Sequence, residues 1–208
     1  MRKVMGGLFQ SLDGVIQAPG SPTEDPGNGF ACGPSAAGYS DETVDGFLGE
    51  QIGGANYDLL LGRRTYDIFA AYWPLRDDHP VGERFNRIAK YVVTSRPETL
   101  EWRGSHALVG DPAQTVAALR HTTGPDLLIQ GSGQLYPSLL AAGLVDRLYL
   151  ITMPIILGKG RRALTNEIAR PSSYRLTDHR VSATGVVMTV FEPDGDVRTG
   201  DFTPEDDA

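Results

Sequence analysis

The sequence contains one cysteine, Cys32, among its 208 residues, so no disulfide can form within the chain. Its four histidines, His79, His106, His121 and His179, are scattered and lack metal-ligand spacing. A metal would have to be assembled from distant segments, and none is expected. Positive charge is also scarce: the formal net charge is -7, which argues against a general nucleic-acid surface and means that any anion site must be built locally from a few arginines. No window approaches the roughly eighteen apolar residues of a spanning helix. The basic start at Arg2 and Lys3 is followed by Gln10, Ser11 and Asp13, which interrupt any signal-peptide core. A soluble cytoplasmic protein without a membrane partner is expected. Two phosphate motifs are missing as well. Gly158-Lys159-Gly160 lacks the upstream glycine of a Walker sequence, and Tyr136 stands where a Gly-x-Gly-x-x-Gly fingerprint needs its third glycine.

The chain is 40% hydrophobic, enough for one substantial core. Residues 4–9 read as a strand, followed by a turn at Asp13-Gly14. Residues 18–40 are rich in Gly, Pro and Ser and carry the isolated aromatics Phe30 and Tyr39, the pattern of a partly ordered flap. Helical spacing of Val44, Phe47, Leu48 and Ile52 predicts a helix over residues 41–51, capped by Ser40 or Asp41. Further strands are predicted at 57–61, 91–94, 126–130 and 148–157, the last bent at Pro154. Helices are predicted at 65–72, 83–88, 112–119 and 134–142. Residues 174–181 and 186–191 form a hairpin pattern around Gly185. Strand–helix alternation ending in a hairpin predicts an α/β fold: a central, mostly parallel mixed sheet flanked by helices, with antiparallel strands at one side. One domain over residues 1–192 is expected, with an acidic, frayed tail over 193–208.

Two strand–glycine–helix junctions carry the chemistry, Gly62-Arg63-Arg64-Thr65 and Gly131-Ser132-Gly133-Gln134. In an open parallel sheet both lie beyond the carboxyl ends of their strands, where ligands bind. Helix-start amides and two guanidinium groups suit a phosphate. An ordinary strand-to-helix turn with solvated arginines has the same local sequence.

In order along the chain, the segments Gly7-Leu8-Phe9-Gln10-Ser11-Leu12-Asp13-Gly14, Leu60-Leu61-Gly62-Arg63-Arg64-Thr65-Tyr66, Tyr91-Val92-Val93-Thr94-Ser95, Ile129-Gln130-Gly131-Ser132-Gly133, Asp146-Arg147-Leu148-Tyr149-Leu150 and Pro154-Ile155-Ile156-Leu157-Gly158-Lys159-Gly160 resemble the dihydrofolate reductase superfamily. The branch they resemble contains the reductase domain of bacterial riboflavin biosynthesis and its stand-alone relatives. The resemblance implies a dihydrofolate-reductase-like fold, NADPH as cofactor, and hydride transfer to a small heteroaromatic or otherwise conjugated acceptor. It implies that Arg63 meets the adenosine 2'-phosphate, that Gly62, Arg64, Thr65 and Gly131 through Gln134 surround the diphosphate, and that Thr94, Ser95 and Arg96 flank the adenosine. It also implies that residues 10–16 cover the nicotinamide and substrate, and that a homodimer is possible.

Two carboxylates are the catalytic candidates. Asp13 lies in the segment that lines the cleft of riboflavin-type members, although an aspartate bonded to its own turn explains it equally well. Asp45 is nearest in register to the acid of the first helix in folate-reducing members, with Thr43 the alternative. Tyr66, Trp73 and Phe69 are candidate walls, Phe69 being the most core-like. The alternatives are reduction of the phosphoribosylamino-pyrimidine of riboflavin synthesis, dihydrofolate reduction, flavin use, and a nucleotide-binding protein without turnover. At 208 residues the chain is too short for that reductase together with a complete deaminase unit.

Overall fold

A computed structural model describes residues 1–21, 24–165, 168 and 170–200. Eight strands form one sheet: β1 (Val4–Ser11), β2 (Tyr57–Gly62), β3 (Lys90–Val93), β4 (Ser105–Leu108), β5 (Asp126–Gln130), β6 (Arg147–Met153), β7 (Tyr174–Val181) and β8 (Val187–Pro193). Their spatial order is β4-β3-β2-β5-β1-β6-β8-β7. From β4 to β6 every pairing is parallel, and β8 then joins β6 and β7 antiparallel, as the alternation and hairpin predict. Among the described residues five α-helices flank the sheet: α1 (Glu42–Leu48), α2 (Arg63–Tyr72), α3 (Pro80–Arg87), α4 (Pro112–Arg120) and α5 (Tyr136–Ala141).

The period-two alternation of each strand divides the core between the two faces of the sheet. Leu59, Leu61, Leu128 and Ile151 point to one face, where α1, α2 and α3 contribute Phe47, Tyr66 and Phe85. Leu60, Leu127 and Ile129 point to the other and meet Val116, Leu119 and Leu139 of α4 and α5. Strands buried on both faces explain the unbroken apolar runs at Leu59-Leu60-Leu61 and Leu127-Leu128-Ile129. Lys90 is buried inside β3, where Nζ donates to the carbonyls of Asn86 (3.2 Å) and Arg103 (2.9 Å) and sits 4.3 Å from the centre of the Trp102 ring. Burial pushes its pKa down to about 8.

Several predicted boundaries shift for identifiable reasons. Helix α2 begins at Arg63, two residues before the predicted start, with Gly62 as its N-cap. Asp41 caps α1 by accepting from the amides of Thr43 and Val44, both at 3.0 Å. The helix predicted over 134–142 is a 3-10 turn, Gly133–Leu135, running into α5. Strand β6 ends at Met153 rather than bending through Pro154, because proline has no N–H to continue the ladder. Strand β4, absent from the predicted elements, is a four-residue edge strand. Pairing at the other edge continues past residue 192, since the Asp194 amide donates to the Ser173 carbonyl at 2.8 Å and the Ser173 amide to Gly195 at 2.9 Å. Residues 201–208 of the expected tail lie outside the described residues. Among those described, no helix is long and apolar enough to cross a membrane.

Candidate active site

Because β1, β2, β3 and β5 run in the same direction, their carboxyl ends open on one edge of the sheet. There the two glycine junctions meet. The Gly62 amide donates to Ser132 Oγ at 2.9 Å, and the Ser132 amide donates to Thr65 Oγ1 at 3.1 Å. Each hydroxyl is therefore committed to holding the other junction in place. Gly131 has φ +59°, a left-handed conformation that favours glycine, and a Cβ on Gly133 would stand 2.4 Å from Ile16 Cδ1. Close packing of Ile16 thus accounts for Gly133, which the sequence reading assigns to ligand approach. Gly62 supplies no capping side chain, so the first-turn amides of α2 have no cap side chain as acceptor among the described residues.

These junctions form the floor of a groove of about 970 Å3. It is lined by Arg63, Arg64, Arg96, Arg161 and Arg162, a concentration of cations against the chain's net negative charge. Gly62, Thr65, Thr94, Ser95, Gly131, Ser132, Gly133 and Gln134 line it too, so the structure brings together all eleven residues expected around a cofactor.

The arginines differ in how much donor capacity they retain. Arg63 pairs through Nε with Asp67 at 2.8 Å, and its Nη1 donates to Thr99 Oγ1 and to the Arg96 carbonyl. It therefore organises the loop that carries Arg96. The Arg96 side chain is exposed and donates no hydrogen bond among the described residues. Arg64 and Arg161 share one buried carboxylate: Asp25 accepts from Arg64 Nη2 and, at 3.1 and 3.0 Å, from Arg161 Nε and Nη2. Arg64 remains half exposed, with its other donors open to the groove.

Asp13 is fully engaged as a latch. Its carboxylate accepts from Ser11 Oγ (2.6 Å), the Leu157 amide (3.0 Å), the Gly158 amide (2.8 Å) and Arg162 Nη2 (2.8 Å). The Ser11 hydroxyl, followed by the backbone amides, holds its pKa well below the usual carboxylate range. A carboxylate so bound is a poor proton donor, and it lines neither the groove nor the cavity beside it. Asp13, a catalytic candidate by sequence, pins the 157–162 segment in this structure, and the Arg161 carbonyl of that segment accepts from the Ile16 amide at 2.8 Å.

Beside the groove lies a second cavity of about 290 Å3, between α1, α2, the carboxyl end of β6 and the 18–40 segment. Its walls include Phe9, Val44, Phe69, Trp73, Ile151 and Met153. The two cavities share Phe9, Pro19, Glu24, Phe69 and Gln130, so they adjoin across these residues. Trp73 lines the pocket, and Phe69, the most core-like of the three candidates, lines both cavities while packing against the core, the two rings edge-on at 6.1 Å. Tyr66 lines neither cavity: its buried hydroxyl accepts from the Trp102 amide at 2.9 Å inside the core. Asp45 also departs from expectation. It is exposed on α1, accepts from Ser40 Oγ at 2.9 Å and lines neither cavity. Helical register turns Val44 inward and carries Asp45 about 100° away from it.

Glu24, Asp25, Arg161 and Arg162 escape the sequence reading. They belong to irregular segments where no periodicity marks an inward side chain. The one available signal is the Arg161-Arg162 pair directly after the glycine-rich turn at residues 158–160.

A mostly parallel sheet with a C-terminal antiparallel pair, and two cavities meeting at its carboxyl edge, define an α/β protein of dihydrofolate-reductase-like fold. Three solved structures share that fold. The putative riboflavin biosynthesis protein from Shewanella sp. PV-4 superposes with TM-score 0.62 and 20% identity, covering 92% of this chain and 99% of its own. A pyrimidine reductase-like protein from Corynebacterium diphtheriae gives 0.60 and 14%, with coverages of 94% and 93%. Dihydrofolate reductase from Enterococcus faecalis, complexed with NADP(H) and RAB-propyl, gives 0.59 and 14%, with coverages of 92% and 96%. In sequence, the uncharacterized protein YyaP of Bacillus subtilis (strain 168) is 23% identical over 142 residues, 66% of this chain and 74% of that protein. The RibD C-terminal domain model matches residues 2–190, and the chain belongs to that family.

Proposed function

We propose that the protein is an NADPH-dependent reductase that delivers a hydride to a small conjugated acceptor. The observation that carries this reading is the junction of the two cavities: a cation-lined groove adjoins a compact, mostly apolar pocket across Phe9, Gln130 and Glu24. The residues present fit NADPH. The uncapped start of α2 and the open donors of Arg64 suit a diphosphate, while Arg96, with Arg63 behind it, suits a 2'-phosphate. The NADP(H) held by the enterococcal dihydrofolate reductase supports the same assignment, and the riboflavin and pyrimidine descriptions of the other two structures support a heteroaromatic acceptor.

NADPH supplies the hydride, and the acceptor gains that hydride at one atom of a conjugated double bond and a proton at its neighbour. The chain's own contribution is placement and exclusion of water. Phe9 and Phe69 stand at the boundary between donor and acceptor, and Trp73 backs the acceptor. With Asp45 outside the pocket and Asp13 fully bonded, we assign the proton to solvent entering at the junction.

Titrating NADPH and NADH separately tests the reading. NADPH should bind at least tenfold more tightly, a margin one charge-assisted phosphate contact supplies at about 1.4 kcal/mol. Equal affinities contradict it. Reduction of the riboflavin pathway's phosphoribosylamino-pyrimidine is the specific acceptor assignment to test beside it.

A further inference from the structure

The acceptor pocket has a chemical character different from that of the groove it joins. Among the described residues its walls carry no lysine, arginine or histidine, and Glu24 is the one carboxylate that lines it. One Glu24 oxygen, Oε2, accepts from the Gly20 amide at 2.9 Å, which fixes the carboxylate and leaves Oε1 free of hydrogen bonds among the described residues. The Gln130 side-chain amide stands at the same mouth and makes no hydrogen bond among the described residues. The pocket therefore offers an acceptor charge from Glu24 and a two-way partner from Gln130, within walls that otherwise hold aliphatic and aromatic side chains together with Tyr39 and Ser40.

A phosphate dianion entering this box loses its hydration, meets no cation and faces a carboxylate of like sign. A planar ring bearing N–H or O–H groups meets aromatic walls and a charged hydrogen-bond acceptor. Arg64 and Arg161 line the groove and not this pocket, and both pair with Asp25.

Building on the reductase reading above, we propose that the acceptor is a compact, phosphate-free conjugated ring carrying an N–H or O–H donor, and that Glu24 is the residue that selects it. This sets the protein apart from a reductase of phosphorylated pyrimidines while keeping the hydride chemistry the same. Glu24 recognises the donor directly, and the volume of about 290 Å3 limits the acceptor to one or two fused rings.

Two matched pairs of probes test the proposal by calorimetry: quinazolinedione against its N,N-dimethyl derivative, and uridine against its monophosphate. Each is measured with saturating NADP+, which blocks the groove, and again without it. Failure of NADP+ to bind then counts against the cofactor reading alone, because the pocket's selectivity is still measured. Quinazolinedione should bind about tenfold more tightly than the dimethyl compound, the worth of one hydrogen bond to a charged group. Glu24→Gln should remove most of that preference and Glu24→Asp should restore part of it, with circular dichroism confirming that each variant is folded. Uridine should bind at least as well as its monophosphate. The proposal is overturned if the monophosphate binds more tightly in the NADP+-saturated protein, if Glu24→Gln weakens both quinazolinediones equally, or if neither quinazolinedione binds at millimolar concentration.

Discussion

The groove and the pocket meet at five side chains yet are built by opposite means. Five arginines line the groove, and its shape is maintained by polar contacts: Ser132 tied to Gly62 and Thr65, Asp25 joining Arg64 to Arg161, and Asp13 gripping residues 157–162. The pocket is maintained by packing, with the Phe69 ring stacked on Phe85 and the Trp73 ring edge-on to both. Polar clamps suit a ligand whose charge and length are fixed, since each contact specifies one phosphate. An apolar box specifies size and shape and leaves recognition to a few polar groups, which is why related chains can share a groove and differ in acceptor.

The two halves should therefore fail differently. Trp73→Ala removes a half-buried ring that contacts Phe69, Tyr72 and Phe85, and should lower stability by about 3 kcal/mol in denaturant unfolding. Acceptor binding should fall with it, while NADPH affinity in the folded variant stays within about threefold; a parallel collapse of NADPH binding breaks the division between pocket and groove.

Asp25→Ala attacks the groove instead. It strands Arg64 and Arg161 without their common carboxylate, but Arg64 is 54% exposed and relaxes into water. The loss should be near 2 kcal/mol, below that for a fully buried pair. A thermal scan that matches wild type removes Asp25 from the architecture of the groove.

Acid should loosen the groove before the pocket. The folded-state pKa of Asp13 lies below its unfolded value, so its latch contributes full stability above about pH 4 and loses it as pH falls through the folded pKa. Asp13→Asn should be less stable at neutral pH and show a shallower acid limb than wild type. Identical acid limbs in the two proteins contradict the latch. The smallest effect belongs to Asp45→Asn, which should leave steady-state turnover within about twofold, because Asp45 touches neither cavity. A hundredfold loss there restores it as the proton donor.

Much of this division is written locally. Gly62-Arg63-Arg64-Thr65 and Gly131-Ser132-Gly133-Gln134 are strand ends followed by helix starts, and a parallel sheet carries such junctions to one edge whatever the rest of the chain does. Trp73 is legible as a wall candidate, whereas Phe69 reads as core by its apolar character and both packs on the core and lines the cavities. Asp45 misleads because register to a single residue decides which way a helical side chain points, and short gaps leave that register open. Asp25 and Arg161 are 136 residues apart in irregular segments, and their pairing exists only after folding. Strand β4 is hidden by its length and polarity: Ser105-His106-Ala107-Leu108 is a half-exposed edge without the β-branched residues that mark β3. Tyr66, a candidate wall, finds a core partner in the Trp102 amide, which lies on a segment remote in sequence.

The central claim is that the arginine-lined groove selects NADPH by its 2'-phosphate. Equilibrium titration of NADPH and NADH against wild type, Arg63→Ala and Arg96→Ala tests it most directly. NADPH should be preferred at least tenfold in wild type, and each substitution should shrink that preference by weakening NADPH alone. Equal affinity for the two dinucleotides in wild type, or equal weakening of both in the variants, contradicts the account.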